Sequence, residues 1–230
     1  MIRRNWLEMT EGLKKAARPA RVVVAAADDE SSLEALSRAV SENLVSPTLV
    51  GDAGRIEELC ARLSVEAGQI IDEPDAEKAA DLAVRLVRDG AGDFLMKGRL
   101  ETSQFLRAAV KKENRLRSGG LMCHAAFLEI PAYHKMLAVA DGGMIPHPDL
   151  EQKKEICRLV VAMLRRLGYE KPKVSVLAGT EKVNDKMPET LDAAELKKMS
   201  QAGLFGDCLL DGPISLDLAL NEEKAAIKGY

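Results

Sequence analysis

Apolar and polar positions alternate along this chain with two periods. Arg21 to Ala27 is a short continuous apolar run, the pattern of a strand covered on both faces. A helical pattern follows, with Leu33, Leu36, Val40 and Leu44 on one face and Ser31 and Glu34 as a capping box at its start. Pro47 opens a new segment, Thr48 to Gly51 reads as a second strand, and Asp52 to Leu63 carries Ile56, Leu59 and Leu63 at helical spacing. Gln69 to Ile71 is a weak third strand. Asp75 to Arg88 is an amphipathic helix through Ala79, Leu82, Ala83, Leu86 and Val87. Phe94 to Met96 is the next strand, ended by Lys97-Gly98, and Glu101 to Arg117 is helical again with Phe105, Leu106 and Val110 inward.

After Ser118-Gly119-Gly120 the rhythm changes. Leu121 to Ile130 and Lys135 to Ala140 are apolar stretches joined by Pro131-Ala132-Tyr133-His134, which predicts a hairpin. Alternation then resumes with a helix over Leu150 to Leu167, a strand over Val174 to Ala178, a helix over Thr190 to Gln201 and a strand over Cys208 to Leu210. Strands alternating with helices of ten to fifteen residues predict an α/β fold with a largely parallel sheet and helices on both faces. The change of rhythm places a boundary near Gly119-Gly120, giving a first α/β domain over 1–119 and a second over 120–230.

Composition narrows the class. With 47% hydrophobic and 30% charged residues the chain is a globular protein, and 3% aromatics suit thin α/β layers better than a sandwich built on large rings. A net charge of −3 calls for neither a nucleic acid nor a membrane surface as partner. Cys60, Cys123, Cys157 and Cys208 form no CxxC pair and read as reduced, mostly buried thiols. The basic start, Met1 to Trp6, is not followed by an apolar h-region. No apolar run approaches the roughly 20 residues of a membrane span, so a cytoplasmic protein is expected.

Candidate chemistry sits at the ends of strands, where open α/β sheets bind ligands. Met96-Lys97-Gly98, Asp141-Gly142-Gly143, Ala178-Gly179-Thr180 and Asp211-Gly212-Pro213 are four such turns, expected on one edge of a sheet. Each alone is ordinary turn chemistry; together they offer glycines where backbone amides can approach an anion. Arg107, Lys111 and Arg115 recur at four-residue steps as one basic stripe, with Lys112 and Arg117 beside it. Such a stripe can hold a polyphosphate, although a solvated face is the plainer reading. Arg107 follows a helix start, Glu101-Thr102-Ser103, that offers hydroxyls and free amides. His124, His134 and His147 lack the spacing of a metal site; His124 reads as a core histidine and His147 as loop packing. No GxSxG elbow, P-loop or GxGxxG fingerprint occurs.

Three blocks together resemble the phosphate acetyl/butyryltransferase family, closest to its butyryl branch. The first is Leu95-Met96-Lys97-Gly98 with Thr102, Phe105-Leu106-Arg107, Lys112-Glu113 and Leu116 to Gly119. The second is Ala140-Asp141-Gly142-Gly143 with Pro148 to Lys153. The third is Asn184, Lys186 to Thr190, Ala194-Glu195-Leu196 and Asp211 to Ile214 through Asp217.

The resemblance implies a two-domain, three-layer α/β/α fold akin to isocitrate and isopropylmalate dehydrogenases, with a cleft between the domains and a homodimer built through the second. It implies exchange of a short-chain acyl group between acyl phosphate and coenzyme A, with phosphate as the other product. Coenzyme A is then a substrate, no cofactor is tightly bound and no metal is consumed. Thr102 and Arg107 match the family's phosphate-binding hydroxyl and arginine. Ser103, Lys97 and Gly98 lie beside them, and Asp141 and Gly142 match a cleft-lining block.

Family members continue past Tyr230 with the serine, aspartate and arginine tied to thiol activation. The second domain is therefore expected to be incomplete at its C-terminal end, the catalytic residues are unassigned, and the 230 residues alone are expected to be inactive or nearly so. Two other readings compete. One is a non-catalytic ligand-binding relative that lacks the final segment. The other is a dehydrogenase on the related fold, which would need a cluster of aspartates that the sequence lacks.

Overall fold

A computed structural model describes residues 4–116 and 120–230. The chain divides into two compact units, one of Met9–Gly120 and one of Met1–Glu8 with Leu121–Tyr230. Gly119, on which the sequence-based boundary falls, and Arg117, the expected end of a helix, lie outside the described residues.

In the first of these units, strands β1 (Ala20–Ala25), β2 (Val45–Gly51), β3 (Gln69–Asp72) and β4 (Phe94–Lys97) form an all-parallel sheet in the order β3-β2-β1-β4. Four helices connect or follow them: α2 (Glu30–Ser41), α3 (Ala53–Leu63), α4 (Ala76–Arg88) and α5 (Thr102–Val110). A nine-residue helix α1 (Trp6–Lys14), which the apolar pattern did not announce and whose first three residues belong to the other unit, precedes β1. Strand β1 is buried because successive side chains point to opposite faces and both faces are covered. Val22 and Val24 pack with Leu33, Leu36, Ile56 and Leu59 of α2 and α3. Val23 and Ala25 pack with Ala79, Ala80, Ala83 and Val84 of α4 and with Ala108 of α5. Each fully buried valine contributes about 1.5–3 kcal/mol relative to exposure.

The helices that follow β1, β2 and β3 each start on an aspartate. Asp29 Oδ1 accepts from Ser32 N at 2.9 Å, Asp52 Oδ1 from Arg55 N at 3.0 Å, and Asp75 Oδ1 from Glu77 N and Lys78 N at 3.0 Å each. The cap of α2 is therefore Asp29, not the expected Ser31/Glu34 box. A carboxylate two residues earlier takes the free Ser32 amide, so the helix begins at Glu30. Strand β2 also starts earlier than expected and runs through Pro47. That residue faces Val22 of β1 but precedes the pairing with β3, so its missing N–H interrupts no bond to β3.

The other unit holds the predicted hairpin. Strands β5 (Ala125–Leu128) and β6 (Leu137–Ala140) pair antiparallel. Helix α6 (Leu150–Arg166), β7 (Lys173–Leu177), α7 (Pro188–Gln201) and β8 (Leu209–Ile214) follow, with β7 and β8 parallel. Cys157 of α6, Leu196 of α7 and Leu210 of β8 share a buried cluster with Phe205. Two short helices, α8 (Leu216–Leu220) and α9 (Glu222–Ile227), close the chain. No described helix is long and apolar enough to cross a membrane.

Two expectations change here. Strand β8 runs on to Ile214, so Asp211-Gly212-Pro213 lies inside a strand and is not a turn; the proline tolerates this beside the irregular pairing between Ser175 and Leu177. Among the described residues the strands form three separate sheets, so the glycine-bearing turns do not share one edge.

Candidate ligand-binding site

The loop from β4 to α5 is pinned to the end of β1. Gly98 N donates to Ala25 O at 2.8 Å and Arg99 N to Ala26 O at 2.7 Å. A Cβ on Gly98 would lie 2.1 Å from Ala26 O, so only glycine permits this approach. Lys97 spends its ammonium on the same loop, donating to Leu100 O at 2.9 Å and Gly98 O at 3.1 Å. Arg99 and Arg55 each reach to 3.9 Å of one Asp28 carboxylate oxygen.

Helix α5 then begins with Thr102 and Ser103, both exposed. Gln104 Oε1 accepts from Glu101 N at 3.1 Å, and Gln104 N bonds back to Glu101 O. The amides of Thr102 and Ser103 are the ones an α-helix leaves free at its first turn. Arg107 is exposed and, among the described residues, has no ion-pair partner. The site residues expected in this unit, Lys97, Gly98, Thr102, Ser103 and Arg107, thus fall on one loop and the helix it starts.

The single basic stripe does not survive. Helix α5 stops at Val110 because Lys111 adopts an extended ψ of 127°, and a 3-10 turn, Lys112–Asn114, follows. Lys111 pairs with Asp81 at 2.6 Å. The buried Asn114 donates from Nδ2 to Asp81 Oδ1 at 2.7 Å and to Ala108 O at 2.8 Å, which fixes the turn against α4 and α5. Periodicity could not reveal this. The signal was an asparagine, a weak helix former, in the middle of a helical pattern.

In the other unit, Asp141 follows β6 and organises the loop before α6. Its Oδ1 accepts from His124 N at 3.1 Å and from Gly143 N and Met144 N at 3.2 Å each. Partial burial pushes the Asp141 carboxyl up, but these backbone donors outweigh it and hold the group below the usual carboxylate range. The carboxylate therefore occupies the amides that an anion would need. Gly142 leaves room for His124, whose Nδ1 lies 2.9 Å from the position of an added Cβ. His124 is exposed rather than in the core, because the first residues of the 121–130 stretch precede the strand. Helix α6 starts on a reciprocal box: Gln152 N donates to Asp149 Oδ1 at 2.8 Å and Asp149 N to Gln152 Oε1 at 3.0 Å.

The family model described as Phosphate acetyl/butaryl transferase matches residues 75–229, a span that holds β4, α5, the Asp141 loop and all that follows. The chain belongs to this family. As a member of the phosphate acetyl/butaryl transferases it is a phosphate acyltransferase, the enzyme class that its three sequence blocks implied. It is 39% identical over 211 residues to the phosphate butyryltransferase of Clostridium acetobutylicum, covering 91% of this chain and 70% of the relative. It is 38% identical over 231 residues to the phosphate acetyltransferase of Thermotoga maritima, covering 100% and 76%. Its fold matches a branched-chain phosphotransacylase from Enterococcus faecalis with a TM-score of 0.81 at 26% identity, over 92% of this chain and 74% of that one. These relatives favour the transferase over the non-catalytic reading.

Proposed function

We propose that this transferase exchanges a short-chain acyl group between acyl phosphate and coenzyme A, with phosphate as the other product. In that reaction the coenzyme's sulfur forms a bond to the acyl carbon, the bond from that carbon to the phosphate oxygen breaks, and the thiol proton passes to a base. The residues assigned here bind and orient. The free amides and hydroxyls of Thr102 and Ser103 receive phosphate oxygens, as a helix start does. Arg107 offers a planar fork to the same anion. Lys97 and Gly98 hold the loop that aims α5, and Asp141 and Gly142 shape the second loop.

The observation that carries this reading is Arg107, an exposed guanidinium without an ion-pair partner among the described residues, one turn beyond the first-turn amides of Thr102 and Ser103. The branched-chain and butyryl relatives support a four-carbon or branched acyl group. The wider reading gives the chain two domains, a three-layer architecture akin to isocitrate and isopropylmalate dehydrogenases, and a cytoplasmic location. It also gives a homodimer through the second domain, supported by the exposed Leu128, Val139, Leu177 and Leu209.

Titration of coenzyme A or an acyl phosphate, read by hydrogen exchange, tests the assignment. Protection of residues 97–107 is expected, and Arg107→Ala weakens binding about 10-fold or more, the worth of a charged hydrogen bond. Equal affinity in the variant removes Arg107 from the site.

A further inference from the structure

The basic residues that the sequence aligned on one stripe are sorted by the fold into separate places, and one group lines a cavity of its own. Arg88 and Asp89 at the end of α4, with Lys112, Glu113 and Arg115 around the 3-10 turn, line a solvent-open pocket of about 730 Å³. Asp89 is already spent: it takes Arg88 Nε at 2.7 Å and Nη2 at 2.8 Å. Lys112 and Arg115 are exposed and have no ion-pair partner among the described residues. Among the described residues, Glu113 is the one lining carboxylate not held by an ion pair.

The conformation of Arg115 is the second observation. Its φ is +50° and ψ is 23°, the left-handed region that glycine enters freely and a side chain with a Cβ does not. Asn43 and Ser64, the other non-glycine residues with positive φ at helix ends among those described, carry short polar side chains. Arg115 carries the longest fork available. The turn is imposed from below by the buried Asn114, whose amide holds Asp81 and Ala108 and whose carbonyl faces Arg88 Nη1 at 3.4 Å. Glycine would close this turn at lower cost, so the arginine is kept for what its side chain does.

We infer that this cavity binds a multiply charged phosphate group, held by Lys112 and Arg115. The group is a phosphomonoester or diphosphate on a small molecule. It comes either from the nucleotide end of coenzyme A or from an inorganic polyphosphate. Two exposed cations lining one open polar cavity suit an anion of charge two or more, whereas a neutral or apolar ligand would leave both undischarged. The site is separate from the α5 residues assigned above and stands whether or not that assignment does.

Calorimetric titration of the 230-residue chain with pyrophosphate, adenosine 3′,5′-bisphosphate, coenzyme A and dephospho-coenzyme A tests it. Wild type binds at least one of these. Arg115→Gly and Lys112→Ala each weaken that binding about five-fold, and Glu113→Gln tightens it about two-fold. Arg115→Gly leaves the urea midpoint unchanged or raised, which separates loss of the anion from loss of the fold. Coenzyme A losing affinity in Arg115→Gly while dephospho-coenzyme A does not names the coenzyme's 3′-phosphate; a loss confined to pyrophosphate names an inorganic polyphosphate. No binding of any probe, or equal binding by wild type and Arg115→Gly, overturns the inference. Loss of coenzyme binding only in Arg107→Ala does the same and leaves the proposed reaction intact.

Discussion

Gly98 shows how one absent atom sets the position of a site. A methyl group there would press on Ala26 O, a backbone atom that cannot swing aside. Gly98→Ala is expected to destabilise the protein by about 1–3 kcal/mol, the range for overpacking, and to move the start of α5. The urea midpoint, together with the amide shifts of Thr102 and Ser103, checks this. Lys97-Gly98 was legible in the sequence as a strand end, but the reason for the glycine, a neighbouring carbonyl, was not. Asp141 was legible as a polar residue at a strand end. That it faces inward, onto its own loop, depends on the amides of His124, Gly143 and Met144 turning toward it, which no spacing reveals.

At the scale of elements, the patterns with the fewest competing signals were read best. Helices α3, α4 and α6 matched expectation within a residue or two, because their apolar stripes are broken by no residue with a strong alternative. Helix α5 was overextended, since charge spacing continues through a turn that Asn114 ends. Strand β8 was cut short, since proline argues against a strand and only the irregular pairing with β7 accommodates it. Helices α1, α8 and α9 were not read at all; α1 and α9 contain no buried residue and α8 only one, so they leave little pattern to detect. The aspartate starts carry a prediction of their own. Asp75→Ala leaves the Glu77 and Lys78 amides of α4 without their acceptor and is expected to cost about 1 kcal/mol, read as a lowered urea midpoint. Asp185→Ala, in an exposed loop, serves as the control with no change.

Across the whole molecule, acid should loosen what neutral pH holds. Hydrogen bonds from the Arg18 and Arg21 side chains and from the Arg21 amide hold the Asp93 carboxyl far below the usual carboxylate range. Asp89 is lowered chiefly by Arg88. Asp81 is lowered by Lys111 and Asn114, which outweigh the upward push of its burial. A carboxyl depressed in the folded state binds its proton more readily when unfolded. Its contribution is complete above the unfolded pKa of about 4 and is lost as pH falls through the lower folded value. The urea midpoint is expected to fall below about pH 4, and Asp93→Asn to flatten that fall while lowering the midpoint at neutral pH. A variant with the wild-type acid profile would remove Asp93 from this account.

The alternating burial of β1 bears on how this half of the chain comes apart. Val22 and Val24 anchor one helical pair and Val23 and Ala25 the other, so no helix layer can peel away without stripping a face of the same six-residue strand. Heating should accordingly release both layers in a single calorimetric step, and a polar side chain at any of these four positions should be rejected in a selection for folded variants.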